Sequence, residues 1–277
     1  KMLFLLAFPA LGQHAFQVMT FNIRLDLASD SLNAWSFRKD KLVSQILFHD
    51  VDLLGVQEAQ PHQMRYLETV LPEFQSVGVG RDDGKNEGEY SAIFYRKARF
   101  KILASSTFWL SETPGKPGKK GWDAACNRIV TWAKLEDRKT GNVIFHFNTH
   151  LDHMGQIARR ESARLILKAV DSIAGKIPAL VTGDFNAFPS DEPIRILTDS
   201  SNSGHLTDSR LVCQMPHYGP TGTFTGFGAK EQSDQPIDYI FFNRGFKILR
   251  HATLSQTWQG RFSSDHFPVW AEVLPIK

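Results

Sequence analysis

The chain has little that would let covalent staples or bulk charge decide its structure. It carries two cysteines, Cys126 and Cys213, far apart and in no metal-ligand spacing. Two cysteines make no disulfide framework; an oxidising compartment would permit one bridge, and two separate thiols is the simpler reading. Neither sign of charge dominates, since 32 Lys and Arg face 29 Asp and Glu for a formal net charge of +3. A protein that grips nucleic acid by charge alone shows a basic run or stripe. Nothing here is more basic than the loop with Lys116, Lys119 and Lys120, which reads as solvated. No repeat or low-complexity linker breaks the sequence. One apolar run, Met2 to Leu11, stands out. It falls short of the roughly 20 residues that a bilayer demands. Its length, with Ala10, Gly12 and Ala15 close behind, matches a secretory signal. The expectation is a leader remnant over 1–15, dispensable for folding, and one domain over 16–277 that is secreted or periplasmic.

What is present is ordinary globular material, with 42% hydrophobic and 22% charged residues in 277. That is enough chain for one large domain with its own core. Short apolar, β-branched and aromatic segments predict strands at 16–21, 52–56, 91–95, 100–103, 129–135, 143–147, 179–182, 239–242 and 267–273. Ile129, Thr131, Ala133 and Leu135 alternate with Val130, Trp132 and Lys134, so that strand has two distinct faces. A helix capped by Ser36 would carry Leu42, Val43, Ile46 and Leu47 on one face. Another spans 61–71 with Pro61 at its first position. A third places Ala158, Ser162, Leu165, Ala169 and Ile173 at helical spacing. The reading is a mixed α/β (α+β) architecture with more than one sheet. The Gly- and Pro-rich stretches 82–88 and 112–121 look like surface excursions of that domain.

Six segments share one habit, an apolar strand that ends or begins at a residue able to bind metal or move a proton. They are VMTFNIR with Asn22, LLGVQEA with Glu58, FHFNTHLDH with His150 and His153, ALVTGDFNAFP with Asp184 and Asn186, QPIDYIFF with Asp238, and FSSDHFPVW with Asp265 and His266. Four of these groups follow their strand and two precede it. If the last two strands run opposite to the others, all of them meet at one edge of the sheet packing. Singly, each has a bland alternative, as a turn residue, a solvated carboxylate or a satisfied histidine. Together, carboxylates, histidines and amides without a serine or cysteine nucleophile motif fit an oxygen-ligated Mg²⁺ or Mn²⁺ better than a His/Cys zinc site.

These six segments, in this order over about 16–275, resemble the endonuclease/exonuclease/phosphatase superfamily, with GDFN and SDHFPV the most specific. That superfamily includes deoxyribonuclease I, inositol polyphosphate 5-phosphatases, neutral sphingomyelinases and the deadenylase-like enzymes. The stretch from Phe108 to Trp132 is similar to a bacterial branch near the last of these. The resemblance implies a four-layer sandwich of two packed mixed β-sheets flanked by helices, and metal-dependent phosphoester hydrolysis by in-line attack of water. It further implies roles: Glu58 as principal metal ligand with Asn22, which also faces the phosphate, and Asp265 as a further metal carboxylate. Asp184 would align and deprotonate water, with Asn186 fixing the phosphate. His266, oriented by Asp238, and His150 would face the phosphate, and Arg128 is the candidate phosphate-binding arginine.

The substrate stays open between readings. A phosphodiesterase or nuclease leads; a phosphatase or phospholipase acting on inositol phosphates or lipid head groups is the alternative. A catalytically silent binding protein would have lost part of the set, and none is missing. Trp109, Trp122, Phe185, Phe188, Phe227 and Phe262 are either a base-stacking surface or core. The expected partner is the phosphoester substrate itself, with no obligate protein partner and a monomeric chain.

Overall fold

The computed structural model describes residues 14–228 and 233–276. Most of the expected leader, residues 1–13, lies outside the described residues. His14 and Ala15 are held at the start of the domain. Arg99, itself paired with buried Asp137, donates to the carbonyls of both at 2.7 and 3.0 Å.

Two six-stranded sheets form the body. The first runs in the order β11 (Phe246–Thr253), β12 (Val269–Pro275), β1 (Phe16–Asn22), β2 (Leu53–Ala59), β4 (Tyr90–Arg96), β3 (Phe74–Val77). The second runs β5 (Phe100–Trp109), β6 (Ile129–Asp137), β7 (Val143–His150), β8 (Ala179–Asp184), β10 (Asp238–Phe242), β9 (Thr207–Asp208). Each sheet has one parallel pair at its centre, β1 with β2 and β7 with β8. Parallel neighbours need a crossover, supplied by α1 (Trp35–Phe48) and α3 (Gln156–Ala174). All other pairs are antiparallel.

Strand alternation divides the apolar residues into three layers. Met19, Phe21, Leu54 and Val56 pack under α1 and α2 (Pro61–Val70). Phe145, Phe147, Val181 and Phe241 pack under α3 and α4 (Glu192–Thr198). Phe16, Val18, Leu53, Ile144, Leu180 and Ile240 point the other way and fill the space between the sheets. The result is the four-layer sandwich that the resemblance implies.

Some local expectations are corrected. Helix α1 starts at Trp35, so Ser36 lies inside its first turn and does not cap it. Its buried face takes in Trp35, Arg38 and Gln45, while Leu47 is exposed. Strand β12 starts at Val269 because Pro268 has no N–H for the ladder. Phe267 bonds instead to the Thr223 carbonyl.

Candidate active site

The space between the sheets changes character along the strands. On β1, the inward residues run Phe16, Val18, Thr20, Asn22; on β7, Ile144, His146, Asn148, His150; on β8, Leu180, Thr182, Asp184. The middle of this series is a buried polar seam. Gln57 donates to Thr20 Oγ1 and Asn148 Oδ1 at 3.1 and 2.7 Å. Asn148 donates across to the carbonyls of Val56 and Ala92, both at 2.9 Å. A Cβ at Gly55 would stand 2.4 Å from Asn148 Oδ1 and Thr182 Oγ1, so glycine is what lets the sheets approach here.

Beyond the seam lies the cleft. Register sets His150 and Asp238 on either side of Asp184, since β7 pairs His150 with Asp184 and β10 pairs Asp238 with it. The first sheet supplies Asn22, whose Nδ2 donates to Glu58 Oε1 at 2.9 Å and to Asp184 Oδ2 at 3.0 Å. Strict alternation would turn Glu58 outward beside Leu54 and Val56. A register shift between Val56 and Ala59, with Glu58 at φ 63°, turns it into the cleft. Arg24 and Asn186 share this left-handed backbone, at φ 57° and 46°. Such unfavourable geometry gathers where the surroundings over-determine it, commonly at functional sites.

Asp265 and His266 arrive on the turn before β12. His266 Nδ1 lies 2.9 Å from Asp238 Oδ2, and Asp265 Oδ2 lies 3.5 Å from Arg24 Nη1. Arg38 fixes this end of the fold from behind. Its buried guanidinium donates to the carbonyls of Ile23, Arg24, Leu25, Asn33 and Ser263, joining the loop after β1 to the turn carrying Asp265. Arg128 enters from the start of β6. Asp152 accepts from its Nε at 3.3 Å, and His153 Nδ1 lies 3.0 Å from its Nη2. Nη1 of Arg128 is buried with no partner among the described residues. Asn186 Nδ2 bridges His150 Nε2 and the Leu151 carbonyl, both at 3.0 Å.

Every sequence-predicted site residue therefore stands at this one end of the sandwich. Arg24, Arg81, Glu89, Cys126 and Phe224 also line the cleft and were not singled out from the sequence. The aromatic candidates fall elsewhere: Phe185 is core, Trp109 is buried behind the Arg81 carbonyl, and none of the six lines the cleft. Both cysteines are free thiols.

Electrostatics divide the buried groups. Burial drives the Asp184 carboxyl up to about 7, reinforced by Asp238 and partly offset by His266 and Asn22. Burial also raises Asp265, against the pull of His266. On His266, burial opposes the charge, but Asp238 and Asp184 outweigh it and hold the imidazole protonated well above its ordinary range. His150 goes the other way, kept neutral by burial and by the neighbouring Arg128 and Arg81. So much negative charge in one buried place, balanced within the chain chiefly by His266 and Arg24, suits a divalent cation. One ligand atom each from Glu58, His150 and Asp184 lie within 4.8 Å of one another, close enough to share an ion. The donors are mainly oxygen, as Mg²⁺ and Mn²⁺ prefer.

Comparison with known proteins agrees with this geometry. The model of the Endonuclease/Exonuclease/phosphatase family matches residues 19–266. The chain belongs to this family. An endonuclease/exonuclease/phosphatase from Bacteroides vulgatus superposes with a TM-score of 0.90 at 38% identity, covering 94% of this chain and 99% of that one. A mannosyl-6-phosphatase from Bacteroides thetaiotaomicron superposes at 0.88 with 36% identity, covering 93% and 99%. In sequence, nocturnin from Rattus norvegicus is 25% identical over 257 residues, 84% of this chain and 56% of that protein. Nocturnin from Drosophila melanogaster is 30% identical over 173 residues, 58% of this chain and 25% of that protein. The chain thus spans between a quarter and just over half of these curated relatives. Family membership supports phosphoester hydrolysis as the chemistry of the cleft.

Proposed function

We propose that the protein is a Mg²⁺- or Mn²⁺-dependent phosphoester hydrolase whose preferred substrate is a small phosphomonoester. The observation that carries the chemistry is the convergence of Asn22, Glu58, Asp184, Asp265 and the Asp238–His266 pair on one cleft. Two observations favour the phosphatase reading over the nuclease reading. The cleft measures about 320 Å³, and Phe224 is the one aromatic side chain along its described lining. A stacking platform for bases is what single-strand binders rely on. The likeness to a mannosyl-6-phosphatase points the same way. The Met2–Leu11 run supports export to the periplasm or medium.

Glu58, the carboxylate common to the close cluster and to the family resemblance, would hold the cation together with the Asn22 and Asp265 that the resemblance implies; the cation supplies charge neutralisation of the ester and of the departing oxygen. The chain's own residues do the rest. Asp184, with a carboxyl near neutrality, suits a base that orients water and takes its proton. Protonated His266 directs a charge-assisted donor at the phosphoryl oxygens, where it is worth most as negative charge builds. Asp238 holds that ring in place through its Nδ1. Arg128 lines the cleft with its guanidinium held by Asp152 and His153, placed to bind the phosphate. Asn186 fixes His150 beside Asp184.

Hydrolysis should be followed with Mg²⁺, Mn²⁺ or EDTA as phosphate from phosphomonoesters, p-nitrophenol from bis-p-nitrophenyl phosphate, nucleotides from single-stranded nucleic acid and phosphocholine from sphingomyelin. The expected result is metal-restored activity, greatest on monoesters. Hydrolysis indifferent to EDTA would overturn the metal, and a preference for diesters would return the nuclease reading.

A further inference from the structure

One wall of the cleft carries an ion pair that the proposed chemistry does not use. Arg81 and Glu89 form a two-point fork, Nη1 to Oε2 and Nη2 to Oε1, both 2.7 Å, with side chains 14% and 16% exposed. Both oxygens of Glu89 are engaged by Arg81, so it is poorly placed to serve as a metal ligand. Arg81 is neutralised, so it is a weak anchor for a second phosphate.

Holding the local hairpin is not a sufficient role for the pair. Backbone bonds already close that hairpin, from Gly80 to Lys85, Arg81 to Glu89 and Asp82 to Glu87, at 3.0 to 3.1 Å. Trp109 Nε1 donates to the Arg81 carbonyl at 2.7 Å, and Asn127 Nδ2 ties Asp82 Oδ1 at 2.8 Å. A Cβ at Gly80 would stand 2.2 Å from the Glu87 carbonyl, so the turn is tight by its own backbone. Arg81 and Glu89 both line the cleft, together with the proposed phosphate-binding Arg128.

We infer that the Arg81–Glu89 pair is the subsite for the alcohol half of the substrate, and that it selects a polyhydroxylated leaving group, a sugar or other polyol. This rests on the phosphomonoesterase reading above. A neutralised fork presents N–H donors and carboxylate lone pairs side by side. Each hydroxyl of a polyol is both donor and acceptor, so neighbouring hydroxyls match that edge. A phosphate, which only accepts, would meet the Glu89 charge, and a nucleobase would need a flat apolar face. Phe224, the one Phe, Tyr or Trp along the described lining, is packed on His266 with ring centroids 4.9 Å apart. A volume of about 320 Å³ is at the small end for ligand sites, in keeping with a single sugar unit.

The test compares mannose 6-phosphate with n-hexyl phosphate, which departs as a similar primary alkoxide but carries no further hydroxyls. With Mg²⁺, kcat/KM for the wild type should favour the sugar ester by roughly 10²-fold or more, because a site built for hydroxyls rejects an analogue that lacks them. Glu89→Gln and Arg81→Lys should each shrink that ratio by about tenfold or more, chiefly by removing a hydrogen-bonding match. Equal turnover of the two esters by the wild type overturns the inference, as does an equal proportional loss on both in the variants. If one variant fails to melt cooperatively, the other variant decides together with the wild-type ratio. Absence of turnover on every monoester would instead sink the function reading, and this subsite with it.

Discussion

The two ends of the space between the sheets are built from the same strands and do opposite things. At one end, the apolar side chains of Phe16, Leu53, Ile144, Leu180 and Ile240 interlock. At the other, β1, β7, β8 and β10 present Asn22, His150, Asp184 and Asp238, all buried, with the Asp184 and Asp238 carboxyls repelling each other. The difference teaches where stability is made and where it is used. The apolar end fixes strand register, and register alone sets His150 and Asp238 flanking Asp184. The polar end then tolerates crowded carboxylates and left-handed residues because the rest of the layer over-determines their positions.

The sharpest way to separate the ends uses two residues on one face of β8. Asp184→Asn should lower kcat by roughly 10³-fold, within the range for loss of a positioned base. Leu180→Ala should cost about 2–5 kcal/mol of stability, the usual range for emptying a packed leucine site. Its kcat per folded molecule should stay near that of the wild type. Urea melts and steady-state rates on both variants check this. If Leu180→Ala abolished turnover in a fully folded sample, the two ends would not be separable.

Next in size is the Asp238–His266 pair. Asp238→Asn and His266→Ala should each cost roughly 10²-fold in kcat/KM, as for one preorganised donor. The double variant should cost little more than the worse single one if they act as a unit. Fully additive losses would show two independent groups. Smaller still is the polar seam between the ends. Asn148→Ala strips donors from the Val56 and Ala92 carbonyls and an acceptor from Gln57. Leaving such buried groups unsatisfied costs about 1–3 kcal/mol each, so the melting temperature should fall with only a modest loss of rate. A collapse of activity at unchanged stability would place Asn148 in the chemistry instead.

The smallest contrast is one of pH. In the folded protein Asp184 holds its proton up to about 7, against 3.8 for an ordinary carboxyl. The folded state thus binds that proton more tightly, a benefit complete below 3.8 and lost as pH rises through 7. In EDTA, Asp184→Asn should therefore gain in melting temperature over the wild type as pH rises from 5 to 8. Measuring the difference between the two proteins cancels the opposite trend from His146 and His251, which burial lowers to about 3. A difference that stayed flat or narrowed would show that Asp184 is ionised at low cost.

The apolar-to-polar switch is what made the candidate site legible in the sequence. Each of the six segments writes it in a few contiguous residues, and strand ends are rigid enough for that local pattern to fix where Asn22, Asp184 and Asp238 point. Strands β3 and β9, of four and two residues, were too short to leave a periodic signal. Arg81 and Glu89 were missed because they flank a stretch of Gly, Asp and Lys that reads as solvent-exposed loop. The available signal was an arginine and a glutamate bracketing two glycines, Gly84 and Gly88, both at positive φ. Arg38 was hidden for another reason. A helical arginine normally faces water, and only the tertiary fold brings five carbonyls around this one. Glu58 was legible as a strand-end carboxylate, but its turn into the cleft depends on a register shift that no alternation pattern announces.

The most direct test of the central claim, that these strand ends make one metal-dependent centre, is Mn²⁺ binding by paramagnetic resonance. Wild type and Glu58→Gln would be titrated side by side with Leu180→Ala as the control from the apolar end. A hard cation prefers a charged oxygen to an amide, so Glu58→Gln should bind Mn²⁺ at least about tenfold more weakly, in the range for disturbed metal sites. Leu180→Ala should match the wild type, and excess metal should partly restore the rate of Glu58→Gln. Equal Mn²⁺ affinity in all three proteins, or no specific binding by the wild type, would contradict the account.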